Sequence, residues 1–230
     1  MFYKGEIMTK FVVALDGPAG SGKSSISKLV ADKFGFTHID TGAMYRAVTL
    51  EALKRKININ NEEEYGFLTE TKVLYLKDKV YLNGEDVSDK IRKPDVTNAV
   101  STCCKFKTVR EYLVKFQRDS AEAGQVIMDG RDIGTVVLPN ADLKIFLTAS
   151  PEVRAKRRYD EIVAKGGNVE YDVILEEIKI RDYKDSTREI SPLKQAEDAI
   201  LIDTSNLTMD EVVEKISKLI IERLERNGKF

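Results

Sequence analysis

The sequence predicts an α/β fold, a parallel sheet of about five strands flanked by helices and carrying one small insert. Three observations predict it. Apolar runs of strand length at 11–16, 126–129, 143–147 and 199–203 alternate with segments of helical periodicity. Strands that are apolar throughout suit a parallel sheet covered on both faces. The first run leads straight into Gly17-Pro18-Ala19-Gly20-Ser21-Gly22-Lys23-Ser24 and then a helix, the strand–loop–helix order of a phosphate-binding loop. Between Ile57 and Asn98 the charge rises and the apolar period falls to two, which marks an insert.

Each element follows in order. After the loop, Ile26, Leu29 and Val30 recur at helical spacing, and Gly35 stops the helix. Residues 36–40 read as a second strand. Thr41 is expected to cap a helix reaching about Arg55, which puts Tyr45 and Arg46 beyond a strand's carboxyl end, where ligands sit in open α/β sheets. A solvated surface role is the alternative for Arg46. In the insert, Val73-Leu74-Tyr75-Leu76 and Val80-Tyr81-Leu82 flank Lys77-Asp78-Lys79 and precede Asn83-Gly84, so an antiparallel hairpin is expected, with Pro94 marking the exit. A helix of about 109–123 carries Val109, Leu113 and Phe116 on one face. Strand 126–129 ends in Gly130-Arg131-Asp132, and Asp129 stands where phosphate-loop proteins often hold an aspartate near the metal. Ser150-Pro151 opens a helix bearing Arg154, Arg157 and Arg158. Another helix of about 171–186, the strand 199–203 and a last helix opened by the capping box Thr208–Glu211 complete the chain. Val212, Ile216, Leu219 and Ile220 form that helix's core stripe.

Among 230 residues, 42% hydrophobic and 33% charged content fits a soluble globular protein. A net charge of −1 provides no field for a nucleic acid polymer or an anionic membrane, and no apolar run approaches the ~20 residues of a bilayer span. Residues 1–10 lack the apolar centre of a secretory signal and are expected to be a frayed extension, with Met8 an alternative start. The two cysteines, Cys103 and Cys104, are adjacent, which builds neither a disulfide framework nor a structural zinc site. His38 is the one histidine, so a mechanism built on paired histidines is excluded. These features point to the cytoplasm.

The loop carries the first piece of chemistry. Its glycines bring backbone N–H groups close to an anion, and the next helix points its positive end at the same place. Lys23 can reach the β- and γ-phosphates of a nucleotide, and the Ser24 hydroxyl can ligate Mg²⁺. A glycine-rich turn without a ligand is the alternative, which eight matching positions in the right context disfavour. The second piece is a surplus of arginines near strand ends: Arg46, Arg131, Arg157, Arg158, Arg181 and Arg188. Guanidinium forks match phosphate oxygens in pairs, and one triphosphate does not need so many. A second anionic substrate facing the first would. Arg181, Asp185 and Arg188 are spaced i, i+4 and i+7, as on one helix face. An exposed ion-pair ladder would favour acid before base, and here the order is reversed, which favours a ligand role.

GPAGSGKSS, DTGAMYRA, DGRDIGTVVLP and RDYKDSTREISPLKQAEDAILIDTS, in this order, resemble the bacterial cytidylate kinases, phosphate-loop nucleoside monophosphate kinases, from Phe11 to the C-terminus. The resemblance implies transfer of the γ-phosphoryl group of ATP, with Mg²⁺, to CMP or dCMP. It implies one domain over 1–230, with a core of about 9–56 and 108–227, a monophosphate-binding insert of about 57–107 and a lid of about 154–168. It places ATP on Gly17, Pro18, Ala19, Gly20, Ser21, Gly22, Lys23, Ser24 and Ser25, with Arg157 and Arg158 from the lid, and the metal on Ser24, with Asp129 a further candidate. On the acceptor side it places Thr41 near the cytosine amino group, Tyr45 beside the base, Arg46 on the phosphate and Ser101 on the sugar. Arg110 would read cytosine, Asp132 would accept from its amino group, Arg181 and Asp185 would bracket the ribose, and Arg131 and Arg188 would hold phosphate. Lys23, Arg131 and Arg188 would then neutralise charge during transfer. Lys107 departs from the family, where many members have proline, and Cys103-Cys104 is unusual for it. The rival readings are another small-molecule kinase acting on UMP, AMP or shikimate, and a nucleotide-dependent switch. The expected state is a monomer that binds neither nucleic acid polymer nor membrane.

Overall fold

The computed structural model describes residues 10–76, 78–122 and 124–228. Of the extension expected over 1–10, residues 1–9, Met8 among them, lie outside the described residues. Strand β1 (Phe11–Asp16) is buried at every position. Helix α1 (Lys23–Phe34) follows the loop and ends where Gly35 adopts a left-handed conformation. After β2 (Thr37–Asp40) comes α2 (Thr41–Lys54). Its cap is Asp40, not Thr41 as expected from the sequence: the Asp40 carboxylate accepts from the Ala43 N–H at 3.0 Å. Thr41 is already helical, and its hydroxyl donates instead to the Asp129 carbonyl at 2.8 Å.

The insert opens with a 3₁₀ helix (Glu62–Glu70) and a meander, β3 (Val73–Leu76), β4 (Lys79–Leu82) and the short β5 (Glu85–Asp86), so the expected hairpin gains a third strand. Pro94 marks no exit. It occupies the first turn of α3 (Pro94–Cys103), where a missing N–H costs nothing. Then come α4 (Lys107–Ala121), β6 (Gln125–Gly130), β7 (Leu143–Thr148), α5 (Pro151–Ala164), α6 (Tyr171–Thr187), β8 (Ile200–Asp203) and α7 (Met209–Arg226). The capping box Thr208–Glu211 forms as read.

The strands form a parallel sheet in the order β2-β6-β1-β7-β8, with β1 at the centre. The chain leaves β1 toward the β2 edge and later returns to β7 on the other side, so the carboxyl end of β1 is a switch point. Register aligns the functional ends: Asp16 pairs with Gly130, and Asp40 with Asp129.

Alternate residues feed two cores, as strand geometry requires. Phe11, Val13 and Leu15 pack with Ile26, Val30, Ile145, Ile216 and Ile220 on one face. Ala14 and Met128 join Met44, Val48 and Leu113 on the other, and that cluster continues without a break into Tyr65, Val80, Ile91 and Val100 of the insert. Ala155, Ile174 and Ile178 form a separate small cluster between α5 and α6. Leu29 is exposed and lies off the helical stripe assigned to it, while half-buried Leu219 packs against the cluster of Val212, Ile216 and Ile220 as expected.

Candidate active site

The phosphate loop takes its shape from two glycines. A Cβ at Gly17 would collide with the carbonyl oxygen of Leu147 on the neighbouring strand, and Gly22 caps α1 at φ 88°, a left-handed conformation that favours glycine. Lys23 is buried and donates through Nζ to the Pro18 carbonyl at 2.7 Å and to Ser21 Oγ at 3.3 Å. Burial pushes its pKa well below the ordinary lysine range, and the charge of Arg131 pushes the same way. Arg154 Nη1 donates to the Ala19 carbonyl at 3.0 Å and to Asp182 at 3.0 Å, binding the loop to α5 and α6. Sequence reading put Arg154 in a lid segment; the structure makes it a buried strut.

At the start of α1, Ser24 Oγ donates to Asp129 Oδ2 at 2.7 Å, and His38 Nε2 lies 2.7 Å from Asp129 Oδ1. Asp16, at the end of β1, is closed to a ligand: its two carboxylate oxygens accept from the backbone N–H groups of Ile133 and Gly134, each at 2.7 Å. This pins the turn after β6. Burial pushes the Asp16 pKa up to about 6, against those two hydrogen bonds.

A second cluster of charged residues brings together positions far apart in sequence. Arg110 on α4 and Asp132 beyond β6 form a buried ion pair, and the Arg110 guanidinium lies 5.4 Å from the centre of the Tyr45 ring. Arg188 Nη2 stands 3.9 Å from the other Asp132 oxygen. Arg131 Nε donates to Asp185 at 3.0 Å. Arg46 Nη1 donates to Thr97 Oγ1 at 2.8 Å, and burial with the nearby charge of Arg181 lowers its pKa to about 10. It is not the solvated residue of the alternative reading. The Tyr45 hydroxyl, Arg110 Nε, Arg181 Nε and Arg188 Nη2 are buried without a hydrogen-bond partner. Buried polar atoms are rarely left so, and this set presents three donors and a hydroxyl to one region.

One expected residue stands differently. Arg188 does not continue the helix face of Arg181 and Asp185. It lies just past α6 with extended backbone (φ −65°, ψ 144°) and reaches Asp132 because the chain turns there, fixed by its Nε bond to the Ser191 carbonyl at 2.6 Å. Arg157 is tied to the Thr204 carbonyl at 2.7 Å, while Arg158 is half buried close enough to Arg181 to lower its pKa further. Ser101 lies half buried on α3, three residues before Cys104, whose thiol is 3.8 Å from Arg188 Nη1. Sequence reasoning missed the Arg154–Asp182 strut and the His38–Asp129 contact. His38 stands on the strand next to that of Asp129, opposite Ile127 in the register, and nothing local in the sequence signals the contact.

A phosphate loop at the switch point of a parallel sheet, with buried arginine–carboxylate pairs next to it, defines a phosphate-loop phosphotransferase, and the chain is such an enzyme. It belongs to the cytidylate kinase family. The family profile described as "Cytidylate kinase" matches residues 13–222. A cytidylate kinase of Clostridium tetani is 55% identical over 212 residues, 92% of this chain and 94% of that one. One from Caldicellulosiruptor saccharolyticus is 53% identical over 217 residues, 92% of this chain and 96% of the relative. Among solved structures, an uncharacterized protein from Eubacterium ventriosum aligns with TM-score 0.52 at 14% identity, covering 92% of this chain and 98% of that chain, a likeness of fold alone. Among the described residues, no helix is long and apolar enough to cross a membrane.

Proposed function

We propose that this enzyme transfers the γ-phosphoryl group of ATP to CMP and dCMP, giving ADP with CDP or dCDP, and that it does so as a cytoplasmic monomer. The observation that carries the acceptor assignment is the buried Arg110–Asp132 pair beside the Tyr45 ring. Cytosine presents an amino donor next to two acceptors. A carboxylate at Asp132 accepts from the amino group, and the forked donor of Arg110 suits N3 and O2. Uracil turns a carbonyl toward Asp132, opposing two acceptors, and an unpaired buried group of this kind discriminates strongly.

The phosphates fall to the cationic groups. The loop N–H groups and Lys23 hold the donor's phosphates, while Arg46, Arg131 and Arg188 hold the acceptor phosphate, with Arg181 and Asp185 at the ribose, Ser101 near the sugar and Thr41 near the amino group. Arg131 and Arg181 both lower the proton affinity of Lys23, and Arg131 lowers that of Arg181, a concentration of positive charge suited to phosphoryl oxygens. Arg157 and Arg158 close on the donor side, which excludes water and limits hydrolysis of ATP. The acceptor is a phosphate whose second pKa is near 6, already ionised at pH 7, so no general base is needed.

The donor set fits Mg²⁺: a hydroxyl and a carboxylate, both hard oxygens, meet at 2.7 Å beside the loop. No group of three or more His, Cys, Asp or Glu that could cage a metal is found among the described residues; Mg²⁺ commonly takes one or two protein ligands, with phosphates and waters completing its shell. When bound, the cation would neutralise charge on the β- and γ-phosphoryl oxygens, held by Ser24 with Asp129 behind it.

The test is ADP release from Mg·ATP with CMP, dCMP, UMP, AMP, GMP or shikimate added separately. Release confined to CMP and dCMP supports this reading. Release with a different acceptor keeps the kinase and overturns the roles of Arg110 and Asp132. Slow release that ignores every acceptor favours the switch.

A further inference from the structure

We infer that His38 is a positioning residue for the metal side of the donor site: it locks the Asp129 carboxylate so that Ser24 keeps its oxygen lone pairs turned toward a bound cation. The inference rests on the donor-site reading above, and His38 enters no other part of it.

The contacts form a continuous line. His38 stands on β2, whose register sets Asp40 opposite Asp129 and His38 opposite Ile127 on β6. Its Nε2 is 2.7 Å from Asp129 Oδ1, and Ser24 Oγ is 2.7 Å from Asp129 Oδ2. The His38 and Asp129 side chains are 7% and 3% exposed, so water does not replace either contact cheaply. The far side of the ring is held as well. His38 Nδ1 lies 3.4 Å from Asp78 Oδ1 at the turn between β3 and β4, and Asp78 Oδ2 is gripped by Lys28 Nζ of α1 at 2.8 Å. The ring meets Tyr75 edge-on, with centroids 6.1 Å apart.

The physics of a carboxylate makes this arrangement consequential. Rotation about its terminal bond is broad, so one donor leaves its plane free to turn. Two donors approaching different oxygens fix the plane. A hydroxyl has one hydrogen and two lone pairs; with the Ser24 hydrogen parked on a fixed Asp129, both lone pairs remain available. Without His38, Asp129 Oδ1 loses its buried donor, and the carboxylate turns toward whatever donor it can find. Groups that orient a metal-binding side chain in this way are commonly worth about 10- to 100-fold in metal affinity.

The measurement is Mn²⁺ binding, in place of Mg²⁺, to the enzyme carrying adenylyl imidodiphosphate, followed by water-proton relaxation. No acceptor is present, so the result is independent of the cytosine assignment. His38→Phe keeps the ring beside Tyr75 and removes both nitrogens; it is expected to weaken Mn²⁺ about 10-fold while metal-free nucleotide affinity stays unchanged. His38→Gln, whose amide nitrogen takes the place of Nε2, is expected to restore most of the loss. His38→Asn, whose amide ends short of Asp129, is expected to behave as Phe. Wild-type Mn²⁺ affinity in the Phe variant overturns the inference, as does equal weakening in Gln and Phe. If the Phe variant does not fold, the Gln–Asn pair decides: a difference supports the inference and equality overturns it. If the wild type itself binds no Mn²⁺ beside the nucleotide, the donor-site reading falls first and the inference with it.

Discussion

Arg131 and Asp185 are joined at 3.0 Å, the one at the end of β6 and the other on α6. The pair fastens the sheet to the helix pair α5–α6, and Arg131 Nη1 donates to the Gly130 carbonyl at 3.3 Å. Asp185 is 7% exposed, so removing its charge leaves a buried guanidinium without a partner. Asp185→Asn is therefore expected to cost about 3 kcal/mol in stability and to raise KM for CMP more than it lowers kcat, read from thermal melts and steady-state kinetics. An unchanged KM would remove Asp185 from the acceptor site.

Asp132 is the proposed reader of the cytosine amino group. An asparagine there can donate to the uracil carbonyl, so Asp132→Asn is expected to narrow the ratio of kcat/KM for CMP over UMP by about 100-fold. The variant also strips Arg110 of its buried partner, so the assays belong well below its melting temperature. A ratio that does not move would take base recognition away from this residue.

Lys23 presents two effects of opposite sign. Lys23→Met is expected to reduce turnover by at least about 1,000-fold, because a preorganised charge at the transferring phosphoryl is gone. The same change relieves the burial that holds the Lys23 pKa well below the ordinary range, so the melting temperature should not fall. An active variant would sink the proposed donor site.

Asp16 makes a prediction in pH. Its pKa rises from 3.8 to about 6 on folding, chiefly through burial, so the folded chain takes up the proton first as the solution is acidified. A carboxylate raised in this way makes the fold less stable when ionised, and that cost disappears as pH falls through about 6 toward 4. The stability of the wild type relative to Asp16→Asn should therefore improve by about 1 kcal/mol between pH 7 and pH 5. A difference that stays flat would mean that the two backbone N–H groups fully offset the burial of Asp16.

The sheet and the loop were legible because their signals are local. A buried parallel strand is apolar throughout, and glycine positions answer to backbone geometry a few residues away. Arg110 and Asp132 came instead from a family resemblance, since nothing local to 110 or 132 says that they meet. The Asp40 cap was misplaced by one residue because aspartate and threonine are both good caps and stand side by side. Helix α3 went unseen because Pro94 reads equally as a breaker and as a first-turn residue. Arg188 was put on the face of α6 by a spacing that holds only while the helix lasts, and the helix stops at Thr187. The strut from Arg154 to Ala19 spans 135 residues, a separation that no periodicity reports.

The apolar island of Ala155, Ile174 and Ile178 is separate from the two large clusters around the sheet. Small cooperative units of this kind open at lower free energy than the body that carries them. A damaging substitution at Ile174 would then leave an abundant, folded protein that turns over poorly. An equal insult at Val13 or Met128 would unfold the whole chain, and cellular proteolysis would clear it. Inherited variation in this enzyme should thus divide into two phenotypes, one seen in catalytic output at normal protein levels and one seen as a shortage of the protein itself.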